Sequence, residues 1–160
     1  MAAIAEGTMM SFFMWTDKLS VGVAAFDEEH KIFIRIIDDL YEKLFCDADK
    51  LPLIGIIDEL IDYMNLHFRS EEQLFEIAQY PQLARHKAQH DELKQKVLKY
   101  RKDIGDENGT ILAAELLHFL KDWLANHVLK YDKEAGVFLN AKGIHSSPAK
   151  NAECVGTTDF

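Results

Sequence analysis

Seven histidines are spread through the chain, and five of them fall where a helix would present its apolar side. His30 is in phase with Phe33 and Ile37, and His67 with Leu60, Met64 and Leu74. His86 and His90 are in phase with Leu93 and Val97, and His127 with Leu120 and Trp123. An imidazole aimed into an apolar interior must find partners for its ring nitrogens or destabilise the fold. Five such rings converging from four segments have no packing rationale, whereas a metal supplies one. One nitrogen of each ring ligates, and the other is free for a supporting hydrogen bond. Imidazoles in excess over carboxylates suit mid-row transition metals better than magnesium or calcium, which prefer oxygen donors.

Neutral imidazoles cannot balance two highly charged ions in a low-dielectric interior, so carboxylates are required. Glu71, four residues after His67, lies on the same face and is a candidate bridge. Asp132 follows His127 by five residues, which in a regular helix turns it about 140° from that face. Either a local unwinding or bulge returns it to the metal, or it is a solvated surface acid. Glu72, and Asp27, Glu28 and Glu29 in the first turn of the first segment, read as solvated groups or as favourable charges at a helix N-terminus. The other histidines serve as controls. His118 lies nine positions before His127, on the opposite face beside Glu115 and Asp122, and Glu115-x-x-His118 is a single copy of a motif that carboxylate-rich di-iron bundles use twice. His145 has no periodic neighbour, and neither residue is expected to ligate.

Positioning these side chains requires four amphipathic helices. Three-and-four spacing of apolar residues predicts helices over residues 27–45, 52–78 and 83–103, and a fourth from an N-cap at Thr110 to Leu139. The breaks are the polar stretch 46–50, Tyr80-Pro81, and a loop over residues 105–109. No strand pattern competes, and helices of this length with short connections pack best as an up-down-up-down four-helix bundle, an all-α fold. The expected organisation is an N-terminal arm over residues 1–14, a bundle over 15–139 and a mobile tail over 140–160. Phe12, Phe13 and Trp15 would cover part of the core.

Composition narrows the function. Eighteen basic against 27 acidic residues give a formal charge of −9, without a local basic run, which disfavours nucleic acid and anionic membranes as partners. The apolar opening at residues 9–15 is too short to span a membrane and lacks a basic leader. Cys46 and Cys154 are far apart and fit no paired metal spacing, so a reducing cytoplasm suits them.

Several motifs together carry a resemblance: Trp15, Val21-Gly-Val23, Asp27-Glu-Glu-His30, His67-Phe-Arg-Ser-Glu71-Glu72, Tyr80-Pro81, His86-x-x-x-His90 and Trp123-x-x-x-His127-x-x-x-x-Asp132. Over residues 15–139 the chain resembles the hemerythrin family, in particular the single-domain bacteriohemerythrins. The resemblance implies a non-haem centre of two iron ions per chain. One would take His86, His90 and His127, and the other His30 and His67. Glu71, Asp132 and an oxo or hydroxo group would bridge them. The second iron is then one ligand short, at the position where family members bind O2. Val128 stands where a bulkier isoleucine is common, and Tyr131 directly precedes the bridging acid, which bears on the size and polarity of the O2 pocket.

The expected function is reversible O2 binding without catalysis, for storage, transport or delivery, by a monomer whose partners are O2 and an oxygen-consuming enzyme. A dry wall of Phe68, Trp123, Leu124 and Val128 would exclude water, although plain core packing accounts for the same residues. The alternatives are an oxygen or redox sensor acting through a partner, and a peroxide- or nitric-oxide-handling or iron-storing di-iron protein.

Overall fold

The computed structural model describes residues 11–46, 52–104 and 109–145. Four helical rods form the bundle. The first three are α1 (Ala24–Phe45), α2 (Leu53–Ile77) and α3 (Leu83–Asp103). The fourth is composite: α4 (Gly109–His127), a π-helical turn (Val128–Asp132) and α5 (Lys133–Ala141). α1 packs on α2 and α4, and α3 on α2 and α4, as an up-down-up-down chain requires. The core between them holds Phe33, Ile37, Leu60, Met64, Leu93, Val97, Leu116 and Leu120, all buried. Each such side chain contributes on the order of 1.5–3 kcal/mol by leaving water.

Element ends differ from the expected ones for local reasons. α1 begins at Ala24 rather than Asp27, because the Asp27 carboxylate turns back to accept hydrogen bonds from Ser20 Oγ (2.6 Å) and the Val21 amide (2.8 Å). Thr110 is the second residue of α4, not its N-cap; helix already starts at Gly109, where a Cβ would sit 2.5 Å from the Ile104 carbonyl. After α2, Gln79 adopts a left-handed φ of 57°, and the Tyr80 amide closes the turn on the Phe75 carbonyl.

The arm and the expected tail need a finer account. Phe13 is buried and Phe12 and Trp15 are half-buried; Phe12 stacks on Tyr41 at 5.0 Å, and the Phe13 amide donates to Asp38 Oδ1. Residues 1–10, the remainder of the arm, lie outside the described residues, as do 47–51, 105–108 and 146–160 with Cys154. Residues 140–145 do not behave as a free tail. α5 runs to Ala141, Gly143 closes it with φ 75°, Ile144 packs on the core, and the His145 carbonyl accepts from the Ala24 amide (3.0 Å). The missed signal is the Gly143 closure, a glycine just past the helix C-cap followed by an apolar residue.

This clasp brings the segment ahead of α1 against α5 so closely that a Cβ on Gly136 would lie 2.0 Å from the Val21 carbonyl oxygen. Only a glycine fits there without moving backbone. Gly136→Ala is expected to lower stability by about 1–3 kcal/mol, the usual cost of overpacking, as read from chemical denaturation. An unchanged midpoint would show that the clasp yields freely.

Candidate metal centre

Within the core all seven candidate ligands are buried: His30, His67, Glu71, His86, His90, His127 and Asp132. α1 supplies His30, α2 His67 and Glu71, α3 His86 and His90, α4 His127, and the π turn ends at Asp132. That turn resolves the phase problem. Closing a turn every five residues instead of four lets Asp132 return to the face of His127, so that its Oδ1 lies 3.0 Å from His127 Nε2.

The two carboxylates divide the histidines into two sets. Glu71 Oε1 lies 3.6 Å from His30 Nε2 and 3.7 Å from His67 Nε2, while Asp132 Oδ2 lies 3.2 Å from His30 Nε2. The opposite oxygens face the other set. Glu71 Oε2 is 3.5 Å from His86 Nε2 and 3.3 Å from His90 Nε2; Asp132 Oδ1 is 3.2 Å from His86 Nε2 and 3.0 Å from His127 Nε2. Each acid therefore spans a two-histidine side and a three-histidine side.

These atoms approach without pairing. Nε2 of His30, His86, His90 and His127, and both oxygens of Glu71 and Asp132, are buried with no hydrogen bond. Unsatisfied polar atoms at this depth would each cost about 1–3 kcal/mol, more when charged, unless a common partner lies between them. Groups of ligand atoms within 4.8 Å of one another, Glu71–His86–His90–His127 and His30–His67–Glu71, have the donor chemistry and spacing to hold metal ions.

Two further carboxylates hold ligand rings from behind. His67 Nδ1 donates to Glu29 Oε2 at 2.8 Å, and Glu29 Oε1 accepts from Ser70 Oγ at 3.0 Å. His90 Nδ1 donates to Glu72 Oε1 at 2.8 Å, with Lys87 Nζ 3.4 Å from the other oxygen. A carboxylate can only accept, so each ring carries its proton on Nδ1 and turns the Nε2 lone pair inward. Glu29 and Glu72 thus are not simply solvated charges. The sequence places each beside a ligand candidate, but their bonds cross between helices, which periodicity along one helix cannot reveal.

The charges reinforce one another. Burial disfavours ionised Glu71 and Asp132, yet the surrounding histidines hold both carboxyls well below their usual range; for Asp132 the neighbouring Glu71 charge opposes this. Burial likewise opposes a charged His30 or His86, but the close approach of the Asp132 and Glu71 carboxylates outweighs it and raises them to about 10 and about 9. His127 moves down, through burial and the proximity of His90 and His86, despite Asp132.

The surrounding wall is aromatic and aliphatic. Phe68 lies parallel to the His90 ring at 3.7 Å, and half-buried Trp123 stacks on His127 at 4.3 Å. Leu124 and Val128 are buried in the same stretch of the fourth rod. His118 and His145 are exposed, the former against Phe12 and the latter bonded to Asn140 Oδ1.

Comparison with known proteins agrees with this arrangement. The family described as "Hemerythrin HHE cation binding domain" matches residues 21–136. The chain belongs to the hemerythrin family. A bacteriohemerythrin of Stenotrophomonas maltophilia is 32 % identical over 119 residues, 74 % of this chain and 76 % of the relative. One of Methylococcus capsulatus is 29 % identical over 133 residues, 82 % of this chain and all of the relative. The crystal structure of a wild-type hemerythrin superposes with a TM-score of 0.67 at 29 % identity, covering 80 % of this chain and 98 % of the other. The chain is thus a hemerythrin-family cation-binding protein with a buried His/Glu/Asp cluster. No helix among its described residues is long and apolar enough to cross a membrane.

Removing the supports behind the rings should loosen the site without touching a ligand. Glu29→Ala and Glu72→Ala are each expected to weaken metal retention about 10–100-fold against a graded chelator, while His118→Ala leaves it unchanged. Equal retention in all three variants would make both carboxylates incidental.

Proposed function

We propose that this hemerythrin-family chain holds two iron ions and binds O2 reversibly, serving oxygen storage, transport or delivery. The observation that supports this most is the division of donors. His86, His90 and His127 would hold one iron, His30 and His67 the other, and Glu71 and Asp132 would bridge them through opposite oxygens. The two-histidine side is then one protein ligand poorer, which leaves room for O2. When bound, a ferrous pair supplies the electrons that make O2 binding favourable and reversible.

The chain's own residues would set how long the O2-bound state lasts. Glu29 fixes the His67 ring on the two-histidine side, and Glu72 fixes His90 on the other. Phe68, Trp123, Leu124 and Val128 form the proposed pocket wall, and apolar groups there keep water and protons away from a charged oxygen species. This favours carriage over turnover, because these side chains offer no acid or base to a second substrate. The relatives' name, bacteriohemerythrin, agrees with this reading.

The test is anaerobic reduction followed by O2 addition and removal, watched by visible absorption. The spectrum is expected to appear and vanish with O2 over repeated cycles; steady consumption of O2 or peroxide instead would make the protein an enzyme. Leu124 lies three residues before His127, on nearly the same face. Leu124→Ala is expected to speed decay of the O2-induced spectrum several-fold, whereas the remote core variant Ile57→Ala decays like the parent. Matching decay in folded samples would remove Leu124 from the pocket.

A further inference from the structure

His127 differs from the other four buried rings in what lies against it. His30 touches His67; His67 meets Phe33 and Phe68; His86 meets Phe75; His90 stacks on Phe68. Phe33, Phe68 and Phe75 are all buried, and they lead to half-buried rings only through further contacts: Tyr63 beside Phe33, Trp123 beside Phe68, and Phe138 beyond Tyr80. His127 instead lies between two rings that reach solvent. Trp123 is nearly parallel to it at 4.3 Å, and Tyr131 lies at 5.4 Å, tilted by 30°. Both are half-buried.

The surface beside Tyr131 carries positive charge on a protein of net charge −9. The Arg85 guanidinium lies 4.9 Å from the Tyr131 ring centre and Lys130 Nζ 5.2 Å from it. Arg85 donates to the Gln82 side chain, whose amide in turn engages Glu134; neither Arg85 nor Lys130 is within ion-pair distance of a carboxylate among the described residues. Exposed Leu129 adjoins them. Two cations with no ion pair among the described residues, and an apolar residue, around a half-buried aromatic ring suit a small, transient, electrostatically steered contact with an acidic partner.

We propose that this face docks an acidic one-electron carrier protein and that the Trp123–His127 stack carries its electron to the centre. The inference rests on the di-iron reading above. At each docking the carrier loses one electron and one ferric ion becomes ferrous; two dockings restore the ferrous pair, and charge-balancing protons come from solvent. Electronic coupling falls steeply across gaps and is best through stacked rings, and His127 is the ligand candidate with a stacked ring open to the surface.

The probe is a reduced plant-type [2Fe–2S] ferredoxin, mixed anaerobically with the oxidised iron-loaded full chain, bleaching of the visible band giving the rate. The rate is expected to fall with added salt. Arg85→Glu with Lys130→Glu is expected to lower it at least tenfold at low salt and flatten the salt dependence, while reduction by a small uncharged reductant changes less than twofold. Trp123→Leu is expected to slow the ferredoxin reaction at unchanged ferredoxin affinity, with iron content and helicity checked beside it. Ferredoxin rates unaffected by the charge reversal would overturn the docking face, and an unaffected rate in Trp123→Leu would overturn the route. Should Trp123→Leu lose iron, Trp123→Phe, which keeps a stacked ring, is compared with Trp123→Met, which does not: the Phe variant is expected to react severalfold faster than the Met variant, and equal rates in the two overturn the route. Calorimetric binding of oxidised ferredoxin to the full chain needs no iron: tenfold weaker binding on charge reversal supports the face, and equal binding overturns it even if the di-iron reading fails.

Discussion

Everything in this bundle answers to one electrostatic constraint: two carboxylates, Glu71 and Asp132, sit fully inside an apolar core among five imidazoles. An isolated carboxylate at that depth would cost several kcal/mol, and the histidines offset this only by facing the acids directly. The oxygens and Nε2 atoms converge without hydrogen bonding to one another, an arrangement that positive ions between them would satisfy. Four helices are needed because no single helix can bring five imidazoles and two acids to one place.

The irregular parts of the fold follow from the same demand. A π turn is poorer helix, yet without it Asp132 would point away from His127. The rod containing it is held by the clasp of residues 20–24 and 140–145, where Gly136 admits the Val21 carbonyl and Ala24 bonds to His145. Glu29 and Glu72 extend the polar network outward and fix two rings, so that the inward lone pairs are set by packing and hydrogen bonds before any ion arrives.

Much of this was legible in the sequence because helical periodicity reports burial. His30, His67, His86, His90 and His127 share phase with core residues, and the same phase put His118 outside, where it lies. Periodicity along one helix cannot report what crosses between helices. That is why Glu29 behind His67 and Glu72 behind His90 read as surface charges, and why residues 140–145 read as tail although a glycine closure and a single backbone bond to Ala24 hold them. Asp132 was the intermediate case. Its spacing showed that regular helix would fail, and left open whether the helix or the ligand gave way.

The most direct test of the central claim is an anomalous-difference map at the iron edge from crystals of the iron-loaded chain. The account predicts two peaks, one beside His30 and His67 and one beside His86, His90 and His127, with Glu71 and Asp132 each contacting both through opposite oxygens. A single peak, or two peaks with either acid bound to one ion alone, would contradict it.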